Sequence, residues 1–443
     1  MKLRATNLLF ILTLLCIAFA CDTGGEYTGE SEKYFIKYYG EDGEQEAVDF
    51  HINDDGTVLI LASTVTPSGF KQILLIKVDD KGNILWQKKY GTPNVNEGPQ
   101  DIEPTVNGGQ FLILSNMFLG TDPSTNEGKY DFKVIRIEED GTKIDSMVFN
   151  NNGGDWETQF MRSITPISNG GFVTTGNSTD ETIFDPDKVP PSVDLEELII
   201  LTFNSDYSQY LSQNPVSPGE QFGSGIKIFE DGNDADRFFW FCYLDQKPAS
   251  HEAENSNFAT FSFGLSGQLE VPPPGSESAV FSGVDGTDEI LVSVCKVPNS
   301  LGGGFYELGT SRSSSTATSG TLYFSRRGPN LTKTSEGFVL NKEGNPLGGN
   351  LSAVDVAPAK VVEGFLVLAN EQTSTGSTIR LTRLTSSSRE EWSTNFGSFG
   401  RFNSGAKVAE LPDGRIFVLG TIALETQKKV ALIKVNRNGE FLN

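Results

Sequence analysis

Apolar and polar residues alternate along this chain in short runs, and one two-strand pattern returns several times. Residues 73–91 show it most clearly: an apolar run over residues 73–78, a turn over residues 79–83 in which Gly82 can adopt a positive φ, and a second strand that ends at Tyr90. No long stretch places apolar residues at the 3.6-residue spacing of an amphipathic helix. The pattern therefore predicts an all-β protein built from hairpins.

A larger repeat contains these hairpins, because an apolar strand after Gly or Asp-Gly precedes each of them, and we count seven such units. The leading strands are predicted at residues 57–62, 110–115, 171–176, 237–243, 304–310, 361–369 and 414–420, and the hairpins begin near residues 73, 131, 198, 258, 337, 379 and 430. The hairpin turns are predicted at residues 79–83, 138–142, 204–208, 265–268, 341–345, 385–388 and 436–440. One further strand between units, at residues 101–106, 160–166, 224–229, 289–297, 351–357 and 406–411, gives four strands per unit. The fourth and fifth units depart most from the pattern, through insertions at residues 271–288 and 311–336.

A second signature is an aromatic residue that is followed, after three residues, by Tyr or Phe and then by Gly. It occurs at residues 86–91, 392–397 and 35–40. The copy at residues 35–40 has no hairpin partner before it, whereas the last unit stops where its outer strand should begin. Repeated four-stranded units that complete each other in this way predict a seven-bladed β-propeller in which an N-terminal strand closes the last blade.

The N-terminus has the features of an export signal. Lys2 and Arg4 precede an apolar segment over residues 8–19 that is too short to span a membrane comfortably, and small residues stand just before Cys21. A cysteine directly after Ala-Phe-Ala resembles the lipobox of bacterial lipoproteins, which implies that Cys21 carries the acyl chains after cleavage. The alternative is an ordinary cleaved leader in which Cys21 has no role. We therefore predict a lipoprotein signal peptide over residues 1–20, a flexible tether over residues 21–33 and a propeller over residues 34–443.

The repeats also resemble a known group. The order NGGF or DGxx, an apolar strand and then IxKxDxxGNxxWxKxYG is similar to the repeats of β-propeller lipoproteins and secreted proteins abundant in Bacteroidota. The resemblance covers nearly the whole mature chain and implies the fold rather than the function. Together with the lipobox, it implies a protein held at the bacterial outer membrane by its lipid anchor alone, on either the periplasmic or the outer side.

Charge and composition argue against several functions. The formal net charge is −23, and loss of Lys2 and Arg4 with the leader lowers it to −25, which repels nucleic acids and anionic headgroups. His51 and His251 are the only histidines, and neither a Cys-x-x-Cys, a phosphate-binding glycine loop nor a GxSxG motif occurs. We therefore predict no enzymatic activity, no metal and no cofactor, although a carboxylate pair for glycoside cleavage stays open. Free buried thiols are favoured over a disulfide between Cys242 and Cys295.

The longest insertions point to one face of the disc. Residues 116–130, 177–197, 244–257 and 311–336 are assigned to connections between second and third strands, which share a face with the connections between blades. Long loops on a rigid scaffold favour binding. The candidate binding residues are aromatic residues, arginines that stand out from the acidic background, and a pair of acidic residues: Phe118, Tyr130, Trp156, Phe184, Phe399, Phe402, Arg326, Arg327, Arg401, Asp185 and Asp187. The last two lack the spacing of a calcium loop.

Three functions from different classes follow. The leading hypothesis is a lipoprotein that binds a protein partner, or scaffolds an envelope complex, through its loop-rich face. The alternative is a glycan-binding accessory lipoprotein. The third is a hydrolase or lyase, which requires two converging carboxylates or a metal in the central opening.

Overall fold

The computed structural model describes residues 33–121, 128–149, 159–178, 197–213, 221–232, 234–246, 255–264, 279–284, 286–313, 317–398, 400–425 and 427–442. This part of the chain consists of 28 β-strands and one turn of 3-10 helix at Asn299–Leu301. Within these ranges no helix is long and apolar enough to cross a membrane. The prediction of an all-β fold is confirmed.

The strands follow each other as antiparallel neighbours in sets of four, which we call units one to seven. The first strand of the chain, β1, belongs to unit seven. Unit one consists of β2 (Gln45–Ile52), β3 (Val58–Val65), β4 (Lys71–Val78) and β5 (Ile84–Tyr90). Units two to four are β6 (Asn96–Pro104), β7 (Gln110–Thr121), β8 (Gly128–Glu138), β9 (Lys143–Phe149); β10 (Gln159–Pro166), β11 (Phe172–Ser178), β12 (Glu197–Phe203), β13 (Gln209–Gln213); and β14 (Gln221–Asp231), β15 (Asp234–Gln246), β16 (Asn255–Gly264), β17 (Ala279–Ser282). Units five to seven are β18 (Asp288–Lys296), β19 (Phe305–Arg312), β20 (Gly320–Arg327), β21 (Lys333–Phe338); β22 (Gly348–Pro358), β23 (Phe365–Thr373), β24 (Gly376–Leu384), β25 (Glu390–Phe396); and β26 (Ser404–Glu410), β27 (Ile416–Ala423), β28 (Lys428–Val435), β1 (Phe35–Tyr39).

Units five and six form one continuous sheet of eight strands, while the other units are separate four-stranded sheets. Only two residue pairs, Gly320 with Leu351 and Thr321 with Gly348, join β20 to β22. Seven blades result only if this eight-stranded sheet is counted as two blades. The number of blades therefore stays a prediction.

The hydrophobic core lies between the units. Seven clusters of buried apolar side chains occur in the described residues, and each draws its members from two consecutive units. The cluster that contains Phe50 and Phe417 packs unit seven against unit one. The units therefore form a closed ring, and the fold is a β-propeller.

The N-terminal strand closes the ring as predicted. Strand β1 pairs antiparallel with β28, with Phe35 opposite Lys434 and Tyr39 opposite Val430. The outer strand of unit seven therefore comes from the beginning of the described chain. This pairing covers the edge that β28 would otherwise expose.

The aromatic signature in the sequence has a direct structural cause. The ring of Trp86 in β5 covers Gly141 in the hairpin turn of unit two, where a Cβ would lie 2.7 Å from Cη2 of the ring. The Tyr90 hydroxyl donates a 2.5 Å hydrogen bond to the carbonyl of the same glycine. Phe35 and Tyr39 make the same contacts with Gly82 of unit one, and Trp392 covers Gly439 of unit seven. The signature thus fastens the outer strand of one unit to the turn of the next.

The junction between units two and three exchanges these roles. Tyr207 occupies the turn position with φ 67°, which is rare for a bulky residue. Its hydroxyl donates a 2.5 Å hydrogen bond to Asp145 in β9 of the preceding unit. The aromatic side chain has moved from the strand to the turn, so the sequence signature is absent although the contact remains.

One predicted hairpin is wrong. The fifth unit was expected to have a long loop over residues 311–336, a strand from residue 337 and a turn over residues 341–345, but β20 and β21 occupy most of that loop. Their turn has Leu331 at φ 61° instead of a glycine, so it lacks the cue used for the other turns. The turn over residues 341–345 instead lies in the connection to unit six. The remaining leading strands and the strands between units lie where they were predicted, and Cys242 and Cys295 are free thiols.

Candidate functional site

The first strands of all seven units line the centre of the ring, and each has a β-bulge at the same level. Bulges disrupt the ladder locally and re-aim side chains, here toward the axis. They lie between Ala47 and Asp49, Pro99 and Asp101, Met161 and Ser163, Gly225 and Lys227, Leu291 and Ser293, Ala353 and Asp355, and Gly405 and Lys407. The residues at these bulges surround a cavity of about 170 Å³, which we call the central cavity.

Side chains at the bulges bind the backbone of the next unit. Asp101 accepts a 3.0 Å hydrogen bond from the backbone N–H of Ile164, and Asp355 accepts one of 2.8 Å from Val408. Asp49 makes the matching contact with Ile102 at 3.5 Å. These carboxyl groups are almost fully buried and hold adjacent inner strands at a fixed spacing.

Two lysines neutralise much of this acidic ring. Lys227 Nζ lies 2.9 Å from Asp101 Oδ2 and 2.6 Å from Glu103 Oε1. Lys407 Nζ lies 3.2 Å from Asp49 Oδ1, and its side chain is 37% exposed within the central cavity. Burial alone would lower the pKa of both lysines, but the surrounding carboxylates raise it above the ordinary value, so both stay charged.

Asp49 and Asp101 form a carboxyl pair, because they stand at the bulges of two neighbouring inner strands and each shifts the pKa of the other. Burial, reinforced by Asp101, raises the pKa of Asp49 to about 8. Burial also raises the pKa of Asp101, but Lys227, Lys407 and the neighbouring Asp49 outweigh it and lower that pKa below its usual range. At neutral pH the pair therefore holds one proton, with Asp49 protonated and Asp101 ionised.

Further polar side chains of the central cavity come from units three, five and six. Ser293 Oγ donates a 2.6 Å hydrogen bond to Asp355, whose pKa burial raises despite the attraction of Lys407. Ser163 Oγ is buried and has no hydrogen-bond partner in the described part of the chain. Arg162 lines the wall beside it and donates from Nε to Ser224 Oγ at 3.2 Å.

This arrangement favours proton transfer to an uncharged, polar molecule. Three cations in the wall, Arg162, Lys227 and Lys407, face the carboxyl groups of Asp101 and Asp355 beside the protonated Asp49, and Glu103 pairs with Lys227, so charge is nearly balanced. A protonated acid next to an ionised base is the arrangement that general acid–base catalysis requires. Within the described ranges, no group of three or more His, Cys, Asp or Glu side chains is placed to hold a metal ion.

Two of the sequence-predicted binding residues, Phe118 and Tyr130, lie at the end of the β7–β8 hairpin on the loop-rich face. Both are half-buried, with ring centroids 5.4 Å apart, and Tyr130 also contacts Phe160 at 5.4 Å. The three rings pack against each other, so only part of their surface is open to a ligand or partner.

Arg401 and Phe402 lie in the connection between β25 and β26, on the same face. Both side chains are exposed, and Phe402 is 67% exposed, which is more than any other described aromatic residue. They are therefore accessible to a partner.

Arg326 and Arg327 do not lie where the sequence placed them, because they end β20 on the opposite face, beside the tight turns. Arg326 stands over the ring of Tyr306 at 5.5 Å. Arg327 is fully buried and its Nε lies 3.0 Å from Glu307, so it forms a buried ion pair and is not accessible to a partner. The other predicted residues, Trp156, Phe184, Asp185, Asp187 and Phe399, lie outside the described residues.

Sequence reasoning missed the central residues altogether. Asp49 and Lys407 are 358 positions apart in the chain, and only ring closure brings them together. The available signal was positional: each unit has one polar residue at the same place in its first strand. Aligning the seven units on their bulges would have revealed Asp49, Asp101, Ser163, Lys227, Ser293, Asp355 and Lys407 as one level.

Comparison with known proteins supports the fold alone. No protein-family profile and no curated protein sequence matches the chain. Among solved structures, the β-propeller domain of the Trilobed protease from Pyrococcus furiosus matches with 8% identity over 92% of this chain and 97% of that one, at a TM-score of 0.45. Drosophila Semaphorin 1a, extracellular domains 1-2, matches with 8% identity over 91% and 88%, at a TM-score of 0.49. The GH93 α-L-arabinofuranosidase of Fusarium graminearum matches with 9% identity over 91% and 98%, at a TM-score of 0.42.

These matches bear on three of the sequence-based conclusions. The propeller fold is confirmed, whereas the family part of the resemblance to Bacteroidota lipoproteins stays a prediction. The prediction that the protein is not an enzyme is corrected: glycoside hydrolases are among the solved structures that share this fold over most of the chain, so the fold gives no ground for excluding activity. That prediction relied on missing linear motifs, but a propeller assembles its central residues from strands far apart in the sequence.

Proposed function

We propose that this protein binds a small, uncharged and hydroxyl-rich molecule in the central cavity and cleaves it by acid–base chemistry, as a hydrolase or lyase. The carboxyl pair of Asp49 and Asp101 carries this proposal, because it supplies the two converging carboxyl groups that such a reaction needs. Asp49 is the general acid and Asp101 the general base. Sugars fit the requirement, since the cavity wall offers hydrogen-bonding groups and nearly balanced charge rather than an apolar surface.

The rate of the proposed reaction should depend on pH through this carboxyl pair. Asp101 must be ionised and Asp49 protonated, so the rate should rise as Asp101 loses its proton, below the ordinary carboxyl range, and fall as Asp49 ionises near pH 8. The two lysines stabilise negative charge that develops next to the pair. One water held between the two carboxyl groups is the simplest nucleophile.

The test is a panel of 4-nitrophenyl glycosides and neutral oligosaccharides, with release of nitrophenol or of reducing ends as the readout and saturation-transfer NMR to detect binding. Asp101→Asn keeps the oxygen that accepts from Ile164 but cannot act as a base, so turnover should fall by about 100-fold or more while binding persists. Phe402→Ala, on the loop-rich face, is the control and should retain full turnover. No binding and no turnover by the wild type, or full turnover by Asp101→Asn, would contradict the proposal.

We also propose that the protein is exported and anchored to the outer membrane through Cys21, with residues 1–20 as the signal peptide and residues 21–33 as the tether. The leader sequence supports this proposal. Metabolic labelling with a radioactive or alkynyl fatty acid, with Cys21→Ala as the control, tests it: the wild type should be labelled and the variant should not.

A second candidate function is the binding of an envelope protein through the loop-rich face. The exposed side chains of Arg401 and Phe402 favour it, because a large exposed ring next to a cation is typical of interface anchors. Affinity purification from detergent-solubilised membranes should recover a stoichiometric partner that is lost in Phe402→Ala. Elution of the wild type alone would count against this candidate.

A further inference from the structure

A second cavity lies on the face of the tight turns, opposite the loop-rich face. It has a volume of about 400 Å³ and lies between units two and three. The two turns that follow β6 and β10 form its rim, and Arg136, Phe172 and Tyr207 contribute to its walls. We call it the junction cavity. It shares no lining residue with the central cavity and does not depend on the function proposed above.

The junction between units six and seven shows what the fold places at this position. There the buried carboxylate of Glu410 accepts a 3.0 Å hydrogen bond from Nη1 of Arg383. It also accepts hydrogen bonds from the backbone N–H groups of Lys360 and, at 3.4 Å, Val361 in the adjacent turn. An arginine and a turn together bind one carboxylate.

A second junction repeats the contact between turn and carboxylate. Between units three and four, Glu230 accepts hydrogen bonds from the backbone N–H of Ser168, at 3.1 Å for each oxygen, and from its hydroxyl at 2.5 Å. Glu230 and Glu410 hold the same place, three residues after the bulge residues Lys227 and Lys407. A carboxylate therefore stands at this position in two of the seven units, whereas the others have Ile52, Pro104, Pro166, Lys296 and Pro358.

The junction cavity has the same donors. The N–H of Thr105 donates to the carbonyl of Gln110 as that of Ala359 does to Gly364, which makes Val106 the equivalent of Lys360. The arginines also correspond in the strand register. Arg136 pairs with Leu112, two residues after Gln110, and Arg383 pairs with Leu366, two residues after Gly364, and Gln110 and Gly364 are the equivalent acceptors of the two turns. Both the arginine and the turn are thus repeated.

The acceptor is not repeated. Three residues after the bulge residue Ser163 stands Pro166, which has no carboxylate, and the space beside it is the junction cavity. Arg136 binds Asp145 through Nε and Nη2 and donates from Nη1 to the carbonyl of Ser205 at 3.2 Å. These contacts use three of the five guanidinium N–H groups. Arg383 likewise binds Glu391 at 3.1 Å while it binds Glu410, so one bound carboxylate does not prevent a second.

We propose that the junction cavity binds the carboxylate of an organic acid, which takes the place that Glu410 holds between units six and seven. Arg136 and the N–H of Val106 bind the carboxylate. The apolar side chains of Leu112 and Phe172 and the ring of Tyr207 face the body of the ligand, so an aliphatic or aromatic acid fits best. The ligand is either a small free acid or the carboxyl end of a peptide, since both present the same group.

The binding test uses phenylacetate and hexanoate against phenylacetamide and hexanamide, with the purified mature chain in isothermal titration calorimetry. N-Acetyl-Gly-Phe, with and without a free carboxyl group, distinguishes a peptide end from a small acid. At least one carboxylate should bind about tenfold or more tightly than its amide, because hydrogen bonds to a charged acceptor are the stronger kind. Equal binding of every acid and its amide, or no binding of any, would overturn the proposal.

A variant that restores the missing acceptor provides an independent test. Pro166→Glu should fill the site from within, abolish binding of the acids and raise the melting temperature above that of Pro166→Gln. The glutamine variant has the same shape without the charge and controls for loss of the proline. If Pro166→Glu binds the acids as the wild type does and melts with Pro166→Gln, the equivalence with Glu410 is wrong.

Discussion

The contact between an outer strand and the next turn yields the most quantitative prediction, through the change Gly141→Ala. The new Cβ would lie 2.7 Å from Cη2 of Trp86 and 2.9 Å from Cζ3. Ordinary carbon contacts are about 3.5–4.0 Å, so the ring must move by about 1 Å. Overpacking of this kind costs about 1–3 kcal/mol. Because Gly141 has φ 78°, alanine there adds about 1–2 kcal/mol of backbone strain. We therefore expect a loss of about 2–5 kcal/mol in the free energy of unfolding.

Two further variants separate the contributions. Gly69→Ala has a similar φ of 88° and no atom within 4 Å of the new Cβ, so it should lose only the part due to strain. In a Trp86→Ala background, Gly141→Ala should cost no more than Gly69→Ala does, because the ring that it strikes is gone. Urea unfolding monitored by circular dichroism measures the wild type, Gly141→Ala, Gly69→Ala, Trp86→Ala and the double variant. If Gly141→Ala destabilises no more than Gly69→Ala, the strand-to-turn contact does not fasten the units and the reasoning is refuted.

Three other predictions follow from the same contacts. Between about pH 4 and pH 8, Asp49 has lost its proton in the unfolded chain but keeps it in the folded protein, so this residue makes the wild type less stable as pH rises. The urea midpoint of Asp49→Asn should therefore fall less between pH 5 and pH 8 than that of the wild type. Parallel plots of urea midpoint against pH for the two proteins would contradict the raised pKa. Tyr207→Phe loses the hydrogen bond to Asp145 and should lower the free energy of unfolding by about 1–2 kcal/mol in the same urea assay, whereas an unchanged midpoint would mean that the bond adds nothing. Burial raises the pKa of the thiols of Cys242 and Cys295. At pH 8 the buried Cys242 should therefore react with iodoacetamide only after denaturation, and the partly buried Cys295 should react more slowly than in the unfolded protein, as mass spectrometry would show. Rapid labelling of both in the native protein would contradict the raised pKa values.

The repeat was readable from the sequence because its cues are local. Gly82, Gly141 and Gly439 mark turns that need a positive φ, and the aromatic residues before Gly91 and Gly397 mark the strands that cover such turns. Where a turn has no glycine, the sequence-based prediction fails. Leu331 and Tyr207 adopt positive φ without being glycine, and the first of them led to a misplaced hairpin in unit five.

The candidate site was not readable in the same way because it exists only in the closed ring. Nothing near Asp49 in the sequence indicates that Asp101 or Lys407 will lie beside it. A buried carboxyl group is identified by its neighbours, and those come from other units. The same holds for the junction cavity, where the informative feature is the contrast between Pro166 and Glu410.

The central claim is that one carboxyl group of the Asp49–Asp101 pair keeps its proton at neutral pH beside an ionised partner. The most direct test is an NMR titration of protein labelled with ¹³C at the aspartate side-chain carboxyl carbon, with Asp49→Asn and Asp101→Asn spectra for assignment. We predict one carboxyl resonance that titrates near pH 8 and is missing from Asp49→Asn, and an Asp101 resonance that stays ionised across neutral pH. Titration of every aspartate below about pH 5, within the ordinary carboxyl range, would contradict the claim and with it the proposed acid–base function.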